Sequence, residues 1–468
     1  MGEKPRDSGG ATLSAPLRDR QFSGRSDHRH LLLSTTMPLY ARRLDDLGVE
    51  GSFTFGAEIA RAVASGRDVV RLTIGEPDFD STPHVNEAGV AEIRRGNTHY
   101  ADPQGVLPLR KAIAEYVSRT RGIAVDASRV VVLSGAKPSI SLTIQTYVDP
   151  GDEVIYPSPG FAIYESWTTF VRGVPVPLRL REDHDFTFTA DDLAALITPK
   201  TKLIMLCSPS NPTGGVLPAG LLADVAAVIR ERCGPDVRVY SDEIYEHILF
   251  DGAQHASIAS QPGMAERTII ASGHSKGFAM TGWRLGWAVL PTAEEAQTFK
   301  RQIIQTTSCV PPFTQEAGRV ALESPESYTA INRMVAEFRG RRDWVVPALN
   351  AIPGVSCRTP QGAFYVFPNI GGACQRLGVV AAYEALDPAA RRRTSPSRLF
   401  QLFALYRHGV AMLHRESFGT RGAEGEHYVR LSIATSMDQL REGVARFAAA
   451  AADREGFARF MTEPESAR

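Results

Sequence analysis

The sequence predicts an α/β protein built on a mainly parallel sheet and joined to a smaller α+β region. Three observations carry this expectation. Seven short apolar, β-branched runs stand at 130–133, 153–156, 174–178, 203–207, 237–240, 268–271 and 285–290. Nearly continuous apolar character is what strands covered on both faces require. Segments of helical composition, such as 221–232, separate the runs, and that alternation gives a parallel sheet between two layers of helices. After about residue 323 the pattern changes: a charged helical stretch at 328–349, strand-like runs at 362–367 and 428–433, and a final helix at 438–451.

In chain order, residues 1–36 are rich in Arg, Ser, Gly and Asp without apolar periodicity and read as a disordered tail. Residues 52–65 read as a helix, with Phe55, Ile59, Ala62 and Val63 on one face and Gly66 placed to end it. A short extended run follows at 69–74. The expected division is a tail at 1–36, an N-terminal arm and part of a small domain at 37–85, a large domain at 86–322 and the rest of the small domain at 323–468. Residues 371–398, with Gly371-Gly372 and Arg391-Arg392-Arg393, read as a long loop or insertion.

Lys+Arg and Asp+Glu balance at 52 each, so no charge excess points to nucleic acid. Cys207, Cys233, Cys309, Cys357 and Cys374 are scattered and form no C-x-x-C pair. That suits reduced thiols in the cytoplasm better than a disulfide scaffold or a zinc site. No apolar stretch approaches the ~20 residues needed to cross a bilayer. The expected protein is cytoplasmic, with no membrane, nucleic-acid or metal partner.

The chemistry concentrates around Lys276 and Arg284, eight residues apart behind an apolar run. A lysine in an apolar site is disfavoured as a cation and becomes a usable amine for a carbonyl cofactor. An arginine can grip a phosphate in bidentate fashion. Spacing alone favours a surface Lys and Arg flanking a buried turn. Asp242 stands two residues after the run at 237–240 and reads locally as a helix cap. Asn211, in Asn211-Pro212-Thr213-Gly214, reads as a turn. Ser134-Gly135-Ala136-Lys137 opens a helix after a strand, where free backbone N–H groups bind phosphate.

Taken together, these segments resemble the class I and II aminotransferases, which are fold-type I pyridoxal 5'-phosphate (PLP) enzymes. The stretch from Ser272 to Gly286 resembles the family motif S-x-x-K-x-x-x-x-x-G-W-R-x-G, and the motifs are most like the bacterial aspartate and aromatic branch. The resemblance makes Lys276 the Schiff-base lysine, Ser275 a cofactor-binding neighbour and Arg284 a phosphate ligand. It makes Asp242 the partner of the pyridine nitrogen, Tyr245 and Asn211 donors to the ring O3′, and Asn211 a substrate contact as well. Gly135, Ala136 and Lys137 become the phosphate cup, and Phe161 the aromatic stacked on the ring. Gly75, in Gly75-Glu76-Pro77-Asp78-Phe79, implies a segment closing over the substrate. Arg430, in Tyr428-Val429-Arg430-Leu431-Ser432, implies a clamp on the substrate α-carboxylate, which a guanidinium can bind in bidentate fashion. Tyr100 matches a tyrosine that reaches the neighbouring subunit's phosphate, implying a homodimer with a shared active site.

Two departures stand out. Gly273 occupies a position where some members carry Ser. His414-Arg415-Glu416-Ser417-Phe418-Gly419 replaces the P-G-x-x-F-G turn of many relatives. That turn lies near the substrate in the family, so His414 and Arg415 are candidates for selecting the side chain. An Arg415 facing the site would favour acidic side chains; a solvent-facing basic turn is the plain alternative. The activity implied is transfer of an amino group from an L-amino acid, aspartate or glutamate before aromatic ones, to a 2-oxo acid such as 2-oxoglutarate. The same motifs also serve PLP-dependent lyases, cyclases and hydroxylases, and non-catalytic ligand-sensing domains, so fold alone does not choose.

Overall fold

The computed structural model describes residues 39–48 and 51–463; the tail expected at 1–36 lies outside them. Contacts divide the chain after Arg42, and the unit beginning at Arg43 holds every described strand. Helix Gly51–Ala64 leads to a two-residue strand, β1 (Val70–Arg71). The large sheet comes next: β2 (Val130–Leu133), β3 (Glu153–Ser158), β4 (Val174–Arg179), β5 (Thr201–Cys207), β6 (Arg238–Asp242), β7 (Thr268–Gly273) and β8 (Gly286–Val289). Its order is β2-β8-β7-β6-β5-β3-β4. All neighbours are parallel except β8, which runs antiparallel to both β2 and β7. The seven expected runs are these seven strands.

Period-two alternation sends the side chains of each strand to opposite faces. Ile155, Ile204, Leu206 and Val239 pack with Leu222, Val225 and Ile229 of helix Ala219–Arg232. Val154, Tyr156, Leu203, Met205 and Tyr240 pack on the other face with Ile140 and Ile144 of helix Lys137–Tyr147. The edge strand β4 is the exception that sequence chemistry explains. It carries Pro175 and Pro177 and is only partly buried, and proline is tolerated where no further ladder partner is needed.

Beyond the sheet, helix Pro325–Asn350 precedes β9 (Tyr365–Val366), β10 (Val410–Ala411), β11 (Leu413–His414) and β12 (Val429–Ser432). Strands β11, β12 and β9 form an antiparallel three-stranded sheet. β1 pairs in parallel with β10, joining the N-terminal segment to this region. The strands are shorter than the runs at 69–74, 362–367 and 428–433 implied. Residues 371–398 correct the expectation of a loop. They hold helices Gly371–Leu377, Val379–Glu384 and Pro388–Arg391, and helix Pro396–His408 begins there. Burial explains it: Ala373, Cys374, Leu377 and Val379 enter the core, which fixes turns too short to show helical periodicity. The final helix, Met437–Ala452, is followed by a second, Arg454–Thr462, capped by Asp453.

Candidate active site

The register of the sheet assembles the site. Cys207 on β5 lies opposite Asp242 on β6, which lies opposite Ala271 on β7. The turns after these strands therefore emerge together at the carboxyl edge, where open α/β sheets place ligands. Gly286 on β8 pairs with Leu133 on one side and Gly273 on the other. This brings the 134–136 turn beside the 274–276 turn although they are far apart in sequence. A side chain at Gly286 is excluded: a Cβ there would stand 2.3 Å from the Ala136 nitrogen. Gly135 has φ +85°, and a Cβ on it would meet Arg284 Nη2 at 2.4 Å, so only glycine fits this turn.

These turns border a cavity of about 580 Å³. Of the residues singled out from sequence, Gly75, Ala136, Lys137, Phe161, Asn211, Asp242, Tyr245, Ser275, Lys276, Arg284 and Arg430 all line it. Gly135 touches it through Arg284. Tyr100 does not: its side chain is 91% exposed, away from this chain's cavity.

Asp242 is buried, and its carboxylate accepts from the Tyr164 hydroxyl at 2.7 Å and from the Ile244 N–H at 3.3 Å. Burial pushes its pKa up to about 6, against the opposing pull of the Tyr164 bond. Lys276 Nζ donates to the Gly75 carbonyl and lies 5.9 Å from the Phe364 ring. Arg430 is buried too. Its Nη1 donates to Asn211 Oδ1 at 2.9 Å and its Nη2 to the Thr73 carbonyl at 2.6 Å. The guanidinium is sandwiched between Tyr365, 4.2 Å from the ring centroid, and Phe418 at 5.0 Å. Its Nε is buried without a partner. Tyr245 OH lies 2.8 Å from Tyr365 OH, and burial raises the Tyr245 pKa. Lys137 Nζ sits 5.5 Å from the Phe161 ring.

Behind the site lies a charged network. Arg121, 3% exposed, binds Glu243 at 2.7 Å and also Glu246. His255 and Tyr116 share the same two oxygens, Oε2 of Glu243 and of Glu246, while Ser257 and Ser272 donate to the remaining Oε1 atoms. Arg121 and its neighbours hold both glutamates low despite burial, Glu246 at about 2. Unpaired, such charges would be costly; together they anchor the turn that carries Asp242 and Tyr245.

The sequence did not point to Tyr164, Tyr365 or Thr73, and marked Phe418 only as a member of the 414–419 turn. Tyr164 stands three residues after Phe161, on helix Ile163–Phe170, and that spacing was the one available signal. The others act through partners distant in sequence. Arg415 fits neither of its two sequence readings. It is fully buried and bonded to Glu426 at 2.7 Å, because a basic side chain folded under its own loop must find an anion there. His414 pairs with Glu416 at 2.8 Å and is likewise away from the cavity.

A family model for aminotransferase class I and II matches residues 67–447. The chain belongs to this family. It is 36% identical over 411 residues to an aspartate aminotransferase of Rhizobium meliloti (strain 1021), spanning 88% of this chain and 95% of that one. It is also 36% identical over 391 residues to the arginine–pyruvate transaminase AruH of Pseudomonas aeruginosa, spanning 84% and 92%. Among solved structures, the aspartate aminotransferase from Rhizobium meliloti superposes with a TM-score of 0.79 at 35% identity, covering 88% of this chain and 98% of that one. The Thermus thermophilus aspartate aminotransferase with maleate gives 0.77 at 32%, covering 88% and 100%. The chain is thus a fold-type I aminotransferase, an enzyme of amino acid metabolism. Members of this family are PLP-dependent and act on amino acids and oxo acids. Among the described residues no helix is long and apolar enough to cross a membrane.

Proposed function

We propose that the cavity binds PLP and that the enzyme passes an amino group from an L-amino acid, aspartate or glutamate first, to a 2-oxo acid by a ping-pong route. The observation that carries this is Asp242, a buried carboxylate with an upshifted pKa that faces a cavity also bordered by an amine, Lys276. Such a group suits a cationic ring nitrogen as partner. Gly286 on β8 lets the 134–136 turn pack close, and Gly135 lets the Arg284 guanidinium lie against that turn; Ala136, Ser275 and Arg284, all on the cavity wall, would hold a phosphate. Phe161, Asn211 and Tyr245 also line the cavity; Phe161 would stack on the ring, and Asn211 and Tyr245 would hold its hydroxyl.

Bound there, PLP would supply an electron sink and a temporary carrier for the amino group. Lys276 would hold it covalently and, once displaced, move a proton from the substrate Cα. Arg430 would grip the α-carboxylate. Its two aromatic faces and its bonds to Asn211 and Thr73 fix its plane before substrate arrives, so little ordering is left to do. Lys137 would join Gly135 and Ala136 in the phosphate cup, and the maleate held by the similar Thermus enzyme supports a substrate with two carboxylates. The exposure of Tyr100 supports its use by a second copy of the chain, in a homodimer with a shared site. We read residues 86–322 as the cofactor domain, and 37–85 with 323–468 as the smaller one. The five cysteines, all free thiols, support a place in the cytoplasm.

The test is Lys276→Ala together with a panel of amino donors against 2-oxoglutarate. The variant should lose the visible absorbance of lysine-bound cofactor and all turnover, and the native enzyme should favour aspartate or glutamate. Cofactor that stays reducibly attached to the variant contradicts the assignment.

A further inference from the structure

The departure at residues 414–419 has a structural purpose beyond the chemistry of the cavity. Between the single 3-10 turn Arg415–Phe418 and β12 the chain has no regular structure. Its shape is set by one guanidinium. Arg415, fully buried, donates from Nε to Glu426 at 2.7 Å, from Nη1 to the Gly419 carbonyl at 3.0 Å, and from Nη2 to Ser158 Oγ at 3.1 Å and the Gly422 carbonyl at 3.3 Å. The other oxygen of Glu426 takes Arg179 Nε at 2.9 Å from β4. A buried guanidinium is tolerable only when paired, so this loop must keep the form that satisfies it.

That form has two consequences at the site. Phe418 is held with its ring 5.0 Å from the Arg430 guanidinium and edge-on to Phe367. Its carbonyl accepts from the Gly160 N–H at 3.0 Å. Ser158 ends β3 and Gly160 lies in the turn after it, which delivers Phe161 to the cavity. One side chain therefore ties the wall beneath Arg430 to the turn carrying Phe161.

We propose that Arg415 is a positioning residue for substrate binding: with Glu426 as its counter-ion, its bond to the Gly419 carbonyl holds the neighbouring Phe418 against Arg430 and so helps fix the plane of the carboxylate clamp. This rests on the reading of Arg430 as that clamp. Arg415 touches neither substrate nor cofactor.

The experiment uses the full-length holoenzyme, with kcat and KM measured for one amino acid and one 2-oxo acid. Arg415→Met and Phe418→Leu should each raise KM for both substrates ~10-fold while kcat stays within ~3-fold. The absorbance of lysine-bound cofactor should not move, whereas a merely structural lesion would lower cofactor retention and kcat together. The double variant should be no worse than the worse single one, since the two act in series. Arg415→Met should also add nothing in an Arg430→Leu background. If Arg415→Met does not fold, Glu426→Gln, which keeps the shape and removes the ion pair, is read in the same way. Multiplicative effects of Arg415→Met and Phe418→Leu, or an unchanged KM in the folded variants while Arg430→Leu still raises it, overturn the proposal. An unchanged KM in Arg430→Leu itself overturns the clamp and this proposal with it.

Discussion

Replacing Asp242 by asparagine should stabilise the cofactor-free protein above pH 6 while crippling the enzyme. Burial holds the folded-state pKa at about 6 against 3.8 for the unconstrained side chain. The folded chain thus binds this proton more tightly than the unfolded one, and its stability falls as pH rises from about 4 to about 6. At ~1.4 kcal/mol per pH unit, the ionised carboxylate costs about 3 kcal/mol above that window. An asparagine has no such charge. It retains an acceptor for the Tyr164 hydroxyl but leaves the Ile244 N–H less well served, a loss of about 1 kcal/mol. The net expectation is a variant about 1 kcal/mol less stable than the parent at pH 4 and about 2 kcal/mol more stable at pH 7. Urea unfolding of both cofactor-free proteins between pH 4 and 7.5 measures the difference, and all other titrations cancel. With PLP present the order should reverse and kcat should fall ~10²-fold or more, because a neutral amide cannot keep a ring nitrogen protonated. A stability difference that does not vary with pH would falsify the view of Asp242 as a buried anion awaiting a cation.

Arg430→Leu should lower kcat/KM for acidic and aromatic donors alike by ~10²-fold or more, because it strands the substrate carboxylate in a buried site; steady-state kinetics that harm one donor and spare the other would exclude a general clamp. Gly286→Ala should cost about 1–3 kcal/mol in denaturant unfolding and weaken cofactor binding, since its Cβ would push the 134–136 turn out of place. Tyr100→Phe should raise the cofactor Kd ~10-fold, the loss of one hydrogen bond to a charged group. Mixing it with inactive Lys276→Ala chains should restore activity at limiting PLP, because a mixed dimer contains one complete site. No recovery on mixing would assign Tyr100 to its own subunit.

What could be read from the sequence was what is local. Lys276 and Arg284 share one turn, and Asp242 and Tyr245 share another, so their spacing survives folding. Most of the seven strands were visible because burial on both faces leaves a run without polar interruptions; the partly buried edge strand β4 still showed through its valines and leucine. The roles of Tyr164, Tyr365 and Phe418 were not visible, since an aromatic residue in an apolar stretch looks like core until its hydroxyl or ring face finds Asp242, Tyr245 or Arg430. Arg415 was misread for the opposite reason: charge suggests solvent or substrate, and only the fold supplies Glu426, eleven residues on, as an internal counter-ion. The helices within 371–398 escaped notice because each has only one or two turns and no measurable period.

The reversed strand β8 also bears on how the molecule is made. Its pairing with β2 and β7 closes the cavity only after residue 286 has reached both neighbours, and the clamp arrives later still, with residue 430. Contacts so distant in sequence form slowly and late. During synthesis, the cavity lacks a wall until most of the chain has left the ribosome. A ligand that binds only the finished cavity adds its binding energy to the folded state alone, so PLP supply should set how much newly made chain survives as enzyme.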